Sequence, residues 1–237
     1  MSRKTGNYVL QFSMGVSIFG LILVLMFAIN PPMTYENFPW RKPLVGSIFS
    51  LICILGILAA LSPRHCSDPS HFRKDKMDSA SQKVSVTSKG HHPICKEFSA
   101  HVIRTKSHIL CAACTGLFLG ALTTLLGTAF YFFNEWSIKG ISFTVVLLGI
   151  GGLVLGFLQL KFSSFIRLIM NIFFVAGAFL ILVGIDAIIE SLFIDFFVIA
   201  FIIFWIFTRI QLSRWDHQRI CDRCKLPCEV YEEANKG

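Results

Sequence analysis

Six long apolar runs, at residues 8–29, 43–61, 110–133, 141–160, 168–185 and 192–208, leave this chain few ways to fold. At 1.5 Å of rise per residue, a helix of about twenty residues crosses a hydrocarbon core of about 30 Å. The 237 residues are 54% hydrophobic with 24 phenylalanines, and the mean hydropathy is +0.65. An ordinary soluble domain does not reach that balance. Open loops and sheet edges facing lipid leave backbone N–H and C=O groups unmet, so the runs predict α-helices. The expected fold class is therefore all-α: a polytopic membrane helical bundle of about six transmembrane helices with a cytoplasmic Cys/His-rich loop.

The segments between the runs set the organisation. Asn30-Pro31-Pro32 is not a small-residue cleavage site, so the first run reads as a retained helix and not a signal peptide. Pro43 opens the second run and Ser62-Pro63 closes it, both normal helix boundaries. The loop between these two runs holds Tyr35, Phe38 and Trp40, residues suited to an interfacial aromatic belt. Residues 62–109 form the one long polar stretch; its first half, rich in Ser, Lys and Asp, reads as a linker. In its second half Ile94, Phe98, Val102 and Ile103 recur at near-helical spacing and predict a short amphipathic helix over 95–105. The resulting division is an N-terminal transmembrane hairpin (1–62), a cytoplasmic linker and Cys/His-rich segment (63–109), a four-helix transmembrane region (110–210) and a cytoplasmic Cys-rich tail (211–237).

With the N-terminus cytoplasmic, nineteen of the 22 basic residues fall on the inner side and only Arg41, Lys42 and Lys139 on the outer. That bias predicts a multi-pass protein of the cell membrane with both termini, the long loop and the tail in the cytoplasm. The net charge of +8 then reports orientation and contact with anionic lipid headgroups, so membrane lipid is an expected partner and nucleic acid is not. Gly116 with Gly120, and Gly152 with Gly156, have the GxxxG spacing of close helix contacts, although glycine is also simply common in membrane helices.

The chemistry concentrates between Gly90 and Gly116. His92, two residues, Cys95, fifteen residues, Cys111, two residues and Cys114 have the spacing of a paired-knuckle zinc site with histidine in place of the first cysteine. Two ligands separated by two residues can hold one cation from a tight turn, and the longer excursion returns the second pair. Seven of the eight cysteines lie near predicted cytoplasmic flanks, where thiols stay reduced, so metal or redox chemistry is expected ahead of disulfides. Cys111 and Cys114 open the third run, where a helix N-terminus favours thiolate.

The same stretch carries a resemblance. His91-His92-Pro93-x-Cys95-x-x-Phe98-x-x-His101, followed by Cys111-Ala112-Ala113-Cys114-Thr115-Gly116 and Gly120, looks like the signature of a family of prokaryotic multi-pass membrane proteins grouped as a domain of unknown function. It covers about residues 91 to 121 and implies a membrane protein with a Cys/His site, without implying a reaction. His91 is an alternative to His92 as ligand, and His101 and His108 are further donors, as ligands or supporting groups.

The tail offers a second set, His217, Cys221, Cys224 and Cys228, close enough together to wrap one ion. The two sets make separate sites, a shared binuclear site or one mixed site. Zinc is the expected transition metal ion; the spacing matches no trusted iron–sulfur pattern. His65 and Cys66 read as bystanders, and Cys53, within a run, as a small packing residue. Asp186 and Glu190, four apart, and Asp195 mark the turn between the last two runs. They read as an outward-facing acidic turn at the membrane surface, against the alternative of a proton relay or cation site. No phosphate loop, nucleophile elbow or HExxH occurs, and with no histidine in a run and no Cys-x-x-Cys-His, haem is not expected. The leading expectation is a zinc-type site that orders the loop against the third span. The alternatives are a thiol oxidoreductase using Cys111 and Cys114, and a metal-linked transporter with Asp186 or Glu190 on its path.

Overall fold

A computed structural model describes residues 3–32, 38–61, 101–104, 109–134, 136–159 and 162–221. They form six α-helices: α1 (Arg3–Ile29), α2 (Arg41–Leu61), α3 (Ala112–Thr128), α4 (Ser142–Leu158), α5 (Ser164–Ile189) and α6 (Leu192–Cys221). Five are long and apolar enough to cross a membrane, and α4, with 17 residues and about 25 Å of rise, is shorter. Exposed Phe12, Phe19, Leu58, Leu148, Phe165 and Phe193 give the bundle an apolar outer surface. On a water-soluble protein such a surface would drive association; here it is the face that meets lipid. The protein is a helical membrane protein, as the apolar runs predict.

The centre of the bundle is α5. Its apolar window is 56% buried, against 22% to 39% for the other long helices, so the rest of the bundle is arranged around it. The helices α3 and α4 lie along α5, α2 packs on α3, and α1 packs on α6. The glycines explain how the backbones come so close. A Cβ on Gly177 of α5 would lie 2.5 Å from the Gly149 carbonyl oxygen and 2.7 Å from the Leu153 nitrogen of α4. Gly152 meets the Phe173 carbonyl at 2.7 Å in the same way, and Gly116 of α3 sits on the Leu168 carbonyl of α5. Both GxxxG pairs are therefore contact positions. Cys53 is also the packing residue expected, buried with its sulfur 3.6 Å from Thr124 Oγ1.

Three expectations need correction. Val102–Arg104 is a strand (β1), not part of an amphipathic helix; it pairs antiparallel with Ile109–Cys111 (β2), Val102 opposite Cys111. The β-branched Val102, Ile103 and Ile109 suit a strand, and the ribbon meets its backbone hydrogen bonds internally. The third helix consequently starts at Ala112 and not at 110, and α3 ends in a π-helical turn, Ala129–Phe133, that buries Tyr131 and Phe132. The last helix runs to Cys221, well past residue 208, because its final turns find buried polar partners.

Gly177→Val drives two methyl groups into the α4 backbone, which overpacked interiors resist by about 1–3 kcal/mol. Thermal unfolding in detergent is expected to show that loss for Gly177→Val and none for Gly151→Val, since nothing lies within 4 Å of a Cβ at Gly151.

Candidate thiol site at the end of the bundle

Successive helices alternate in direction, so the starts of α1, α3 and α5 meet the ends of α4 and α6 at one end of the bundle. The bond from Trp215 Nε1 to Asn7 Oδ1, 3.2 Å, ties α6 to α1 there. At this end the described part of the Cys/His motif enters the fold. Cys111 closes β2 and is the N-cap of α3, its backbone extended at φ −72°, and Thr115 Oγ1 donates to the Cys111 carbonyl at 2.9 Å. Gly116 holds this first turn of α3 against Leu168 and Asn171 of α5. A larger residue there would push Cys111 and Cys114 away from α5. Both cysteines are half-buried, and no disulfide joins them.

Around them lies a buried polar network. Arg167, near the start of α5, directs Nη1 to His101 Nδ1 at 2.9 Å and to Asp216 Oδ2 at 3.1 Å, and His101 Nε2 stands 3.6 Å from the same oxygen. The same Nη1 lies 3.2 Å from His101 Nε2, so the guanidinium reaches both ring nitrogens. Arg209 Nη2 donates to Asn171 Oδ1 at 2.9 Å, while Asn171 Nδ2 donates to the Arg167 carbonyl at 2.6 Å and to Gln159 Oε1. Gln159 in turn donates to the Gly156 carbonyl at 2.6 Å, so α4, α5 and α6 share one chain of bonds. Among the described residues, Arg209 Nε is buried without a hydrogen-bond partner, and the Arg209 charge lies in electrostatic range of Cys111, Cys114, Arg167 and Asp216. Among the described residues, two buried guanidinium groups face one carboxylate here, a surplus of positive charge beside the cysteines.

The expected ligands divide sharply. His101, Cys111 and Cys114 gather at this end, with His101 engaged by Arg167 and close to Asp216. His217 and Cys221 occupy the last turns of α6, one helical turn apart, at the same end of the chain's fold. His91, His92, Cys95, His108, Cys224 and Cys228, with His65 and Cys66, lie outside the described residues. Among the described residues, no three His, Cys, Asp or Glu side chains come together as a metal-holding group. Sequence reasoning missed Arg167, Asn171, Arg209 and Asp216. The available signal was spacing: Arg167 and Asn171 are four apart, and Arg209 and Asp216 seven apart, each pair on one face of a largely apolar helix.

The opposite end holds a second polar set. Asp186 and Asp195 are buried and held by Arg41, itself buried at the start of α2, and are not an outward-facing acidic turn. The cause is local. Glu190 takes the left-handed conformation (φ 53°, ψ 39°), with its N–H on the Asp186 carbonyl at 3.1 Å, and ends α5 abruptly. The tight turn into α6 points the two aspartates inward, and Glu190, though four residues from Asp186, leaves that face.

Fold and site together define a polytopic helical membrane protein with a thiol-bearing polar network at one end of its bundle. No family model, curated protein or solved structure matches the chain.

Removing the Arg209 charge is expected to slow alkylation of Cys111 and Cys114 at fixed pH. One pKa unit of lost thiolate stabilisation corresponds to about tenfold in the reactive fraction. Maleimide labelling of the detergent-solubilised protein should therefore be slower by up to about tenfold in Arg209→Met, with the rate largely restored in Arg209→Lys.

Proposed function

We propose that the protein lies in the cell membrane with both termini cytoplasmic, and that Cys111 and Cys114 join His92 and Cys95 in holding one zinc-type ion at the inner membrane surface. The orientation rests on the excess of basic residues at the thiol end. The metal reading rests on charge. Zinc bound by three thiolates and one neutral histidine carries a net charge of minus one. Arg167 and Arg209 against Asp216 leave a charge of plus one beside Cys111 and Cys114, which is the complement that such a complex needs. The buried Arg209 beside both cysteines is the observation that carries the reading. The ion fixes the long polar segment against α3 and α5, where an apolar core for that segment is lacking, so metal binding and local folding are one event. His101 supports the site through Arg167 and Asp216, and the tail cysteines Cys221, Cys224 and Cys228 with His217 supply further donors on the same side of the membrane.

The same thiolate-favouring charge supports a second reading, a dithiol that exchanges electrons through Cys111 and Cys114. The two differ in what protects the thiols. Detergent-purified full-length protein, prepared without chelator, is expected to carry stoichiometric zinc that Cys111→Ser and Cys95→Ser lose. Alkylation should then speed up on adding chelator and not on adding reductant. Absence of metal together with reductant-dependent alkylation would overturn the metal site in favour of the dithiol, and absence of both effects would end both readings.

A further inference from the structure

The buried set at the end of the bundle opposite the thiols has no part in the proposed metal site. Arg41 Nη1 donates to Asp186 Oδ1 at 2.6 Å and, from the same nitrogen, to Asp195 Oδ2. Tyr131 Oη donates to Asp186 Oδ2 at 2.6 Å. No more than two hydrogen-bond lengths therefore separate the carboxyl groups, which come from α5 and α6. The second oxygen of Asp195, Oδ1, is buried and, among the described residues, has no hydrogen-bond partner. That is an unstable place for a carboxylate oxygen, because ionised oxygens removed from water need donors.

Among the described residues, Arg41 is the one buried cation at this end of the bundle. From α2, Lys42 places its ammonium over the Tyr131 ring, 4.7 Å from the centroid. At the end of α5, Glu190 is partly exposed. The π-helical turn after α3 contributes the neutral Tyr131 phenol. The second half of α1 and the whole of α4 contain no titratable residue. The buried set is thus two carboxyl groups facing one guanidinium, and two carboxylates sharing one site do not both ionise readily.

We propose that Asp186 and Asp195 bind one exchangeable proton between them, which makes this end of the bundle a proton-binding site. The proton comes from water and resides on Asp195, whose unpartnered oxygen is the place for it. Asp186 is the carboxyl bonded by both Arg41 and Tyr131. The unit of carboxylic acid, carboxylate and guanidinium is then neutral. A metal ion is a poorer occupant, since Arg41 already fills the space between the acids and one unpartnered oxygen is too few for its coordination shell. Releasing the proton restores repulsion between α5 and α6 across the Glu190 and Ser191 turn and loosens the hold on α2. In its folded form the protein binds a proton that the unfolded chain, with its ordinary aspartates, gives up. Stability therefore falls as pH rises through the titration of the pair.

Infrared spectroscopy of the full-length protein in lipid vesicles, titrated from neutral to alkaline pH, tests this. The wild type is expected to show a protonated-carboxyl band at neutral pH that disappears on alkalinisation, and Asp195→Asn should lack it. Asn is the neutral shape of the protonated acid, so Asp195→Asn should melt at the wild-type temperature at neutral pH and lose the fall in melting temperature at higher pH. Asp186→Asn provides a second variant: leaving a single carboxylate for Arg41, it should also lack the band. Absence of the band from the wild type at neutral pH, or its persistence in both variants, would overturn the proposal. A sharp loss of stability at neutral pH in Asp195→Asn beside a pH-independent wild type would do the same, since it would mark both acids as ionised partners of Arg41.

Discussion

The contact of backbone on backbone along α5 is what the remainder of the molecule depends on. In lipid the apolar side chains of two helices gain nothing by leaving one hydrocarbon for another, so helices associate through tight packing and through hydrogen bonds between them. Gly149 and Gly152 of α4 against Gly177 of α5, and Gly116 of α3 against Leu168, provide the first. The second comes at the two ends of the same helix, where Arg167 and Asn171 reach α4 and α6 and Asp186 reaches α2. Arg167 and Asp186 are nineteen residues apart, about 28 Å along the axis, which is close to the thickness of the hydrocarbon core. That separation matches a placement of the two polar sets near its two boundaries, with the Gly149, Gly152 and Gly177 contacts between them.

The two ends differ in sign. Two guanidinium groups meet one carboxylate beside the thiols, and two carboxyl groups meet one guanidinium beside Tyr131. Fully balanced buried ion pairs would be inert cross-links, and replacing such pairs by apolar residues is often harmless to stability. An unbalanced set is different, because it has a standing affinity for whatever supplies the missing charge. In the two proposals, thiolates bound to a metal ion would complete one end and a proton the other. Each reading thus rests on the same physical demand, met by different chemistry because the neighbouring residues differ.

Much of this was readable from the residues, and what was not has a consistent cause. Apolar runs give helices, GxxxG gives contact faces, and Cys53 within a run gives a packing thiol, since each is a statement about local composition. Arg41, Arg167 and Arg209 counted as flanking charges because a basic residue at the edge of a run announces its side of the membrane and not its depth. Their depth depends on partners far away in the chain: Arg41 and Asp186 are 145 residues apart. The acidic turn failed for a related reason. A four-residue spacing puts Asp186 and Glu190 on one face only if the helix continues, and the left-handed Glu190 ends it. At the thiol end, spacing singled out Cys111 and Cys114 as candidates but gave no sign of the buried arginines near them, which no metal motif contains.

The β-ribbon explains why the motif residues reach the bundle at all. A polar segment returning to the membrane needs a fixed entry, because a backbone that wanders at the boundary loses water without gaining partners. Pairing Val102 with Cys111 satisfies that backbone internally and sets His101 beside the start of α3. The bond from Arg167 to His101 then fastens the ribbon to α5, and Gly116 brings the cysteines in after it. One short ribbon, one arginine and one glycine therefore convert a sequence spacing into a position in space. The proposed metal site builds on this arrangement: α3, α5 and α6 orient Cys111 and Cys114 before any further ligand is counted.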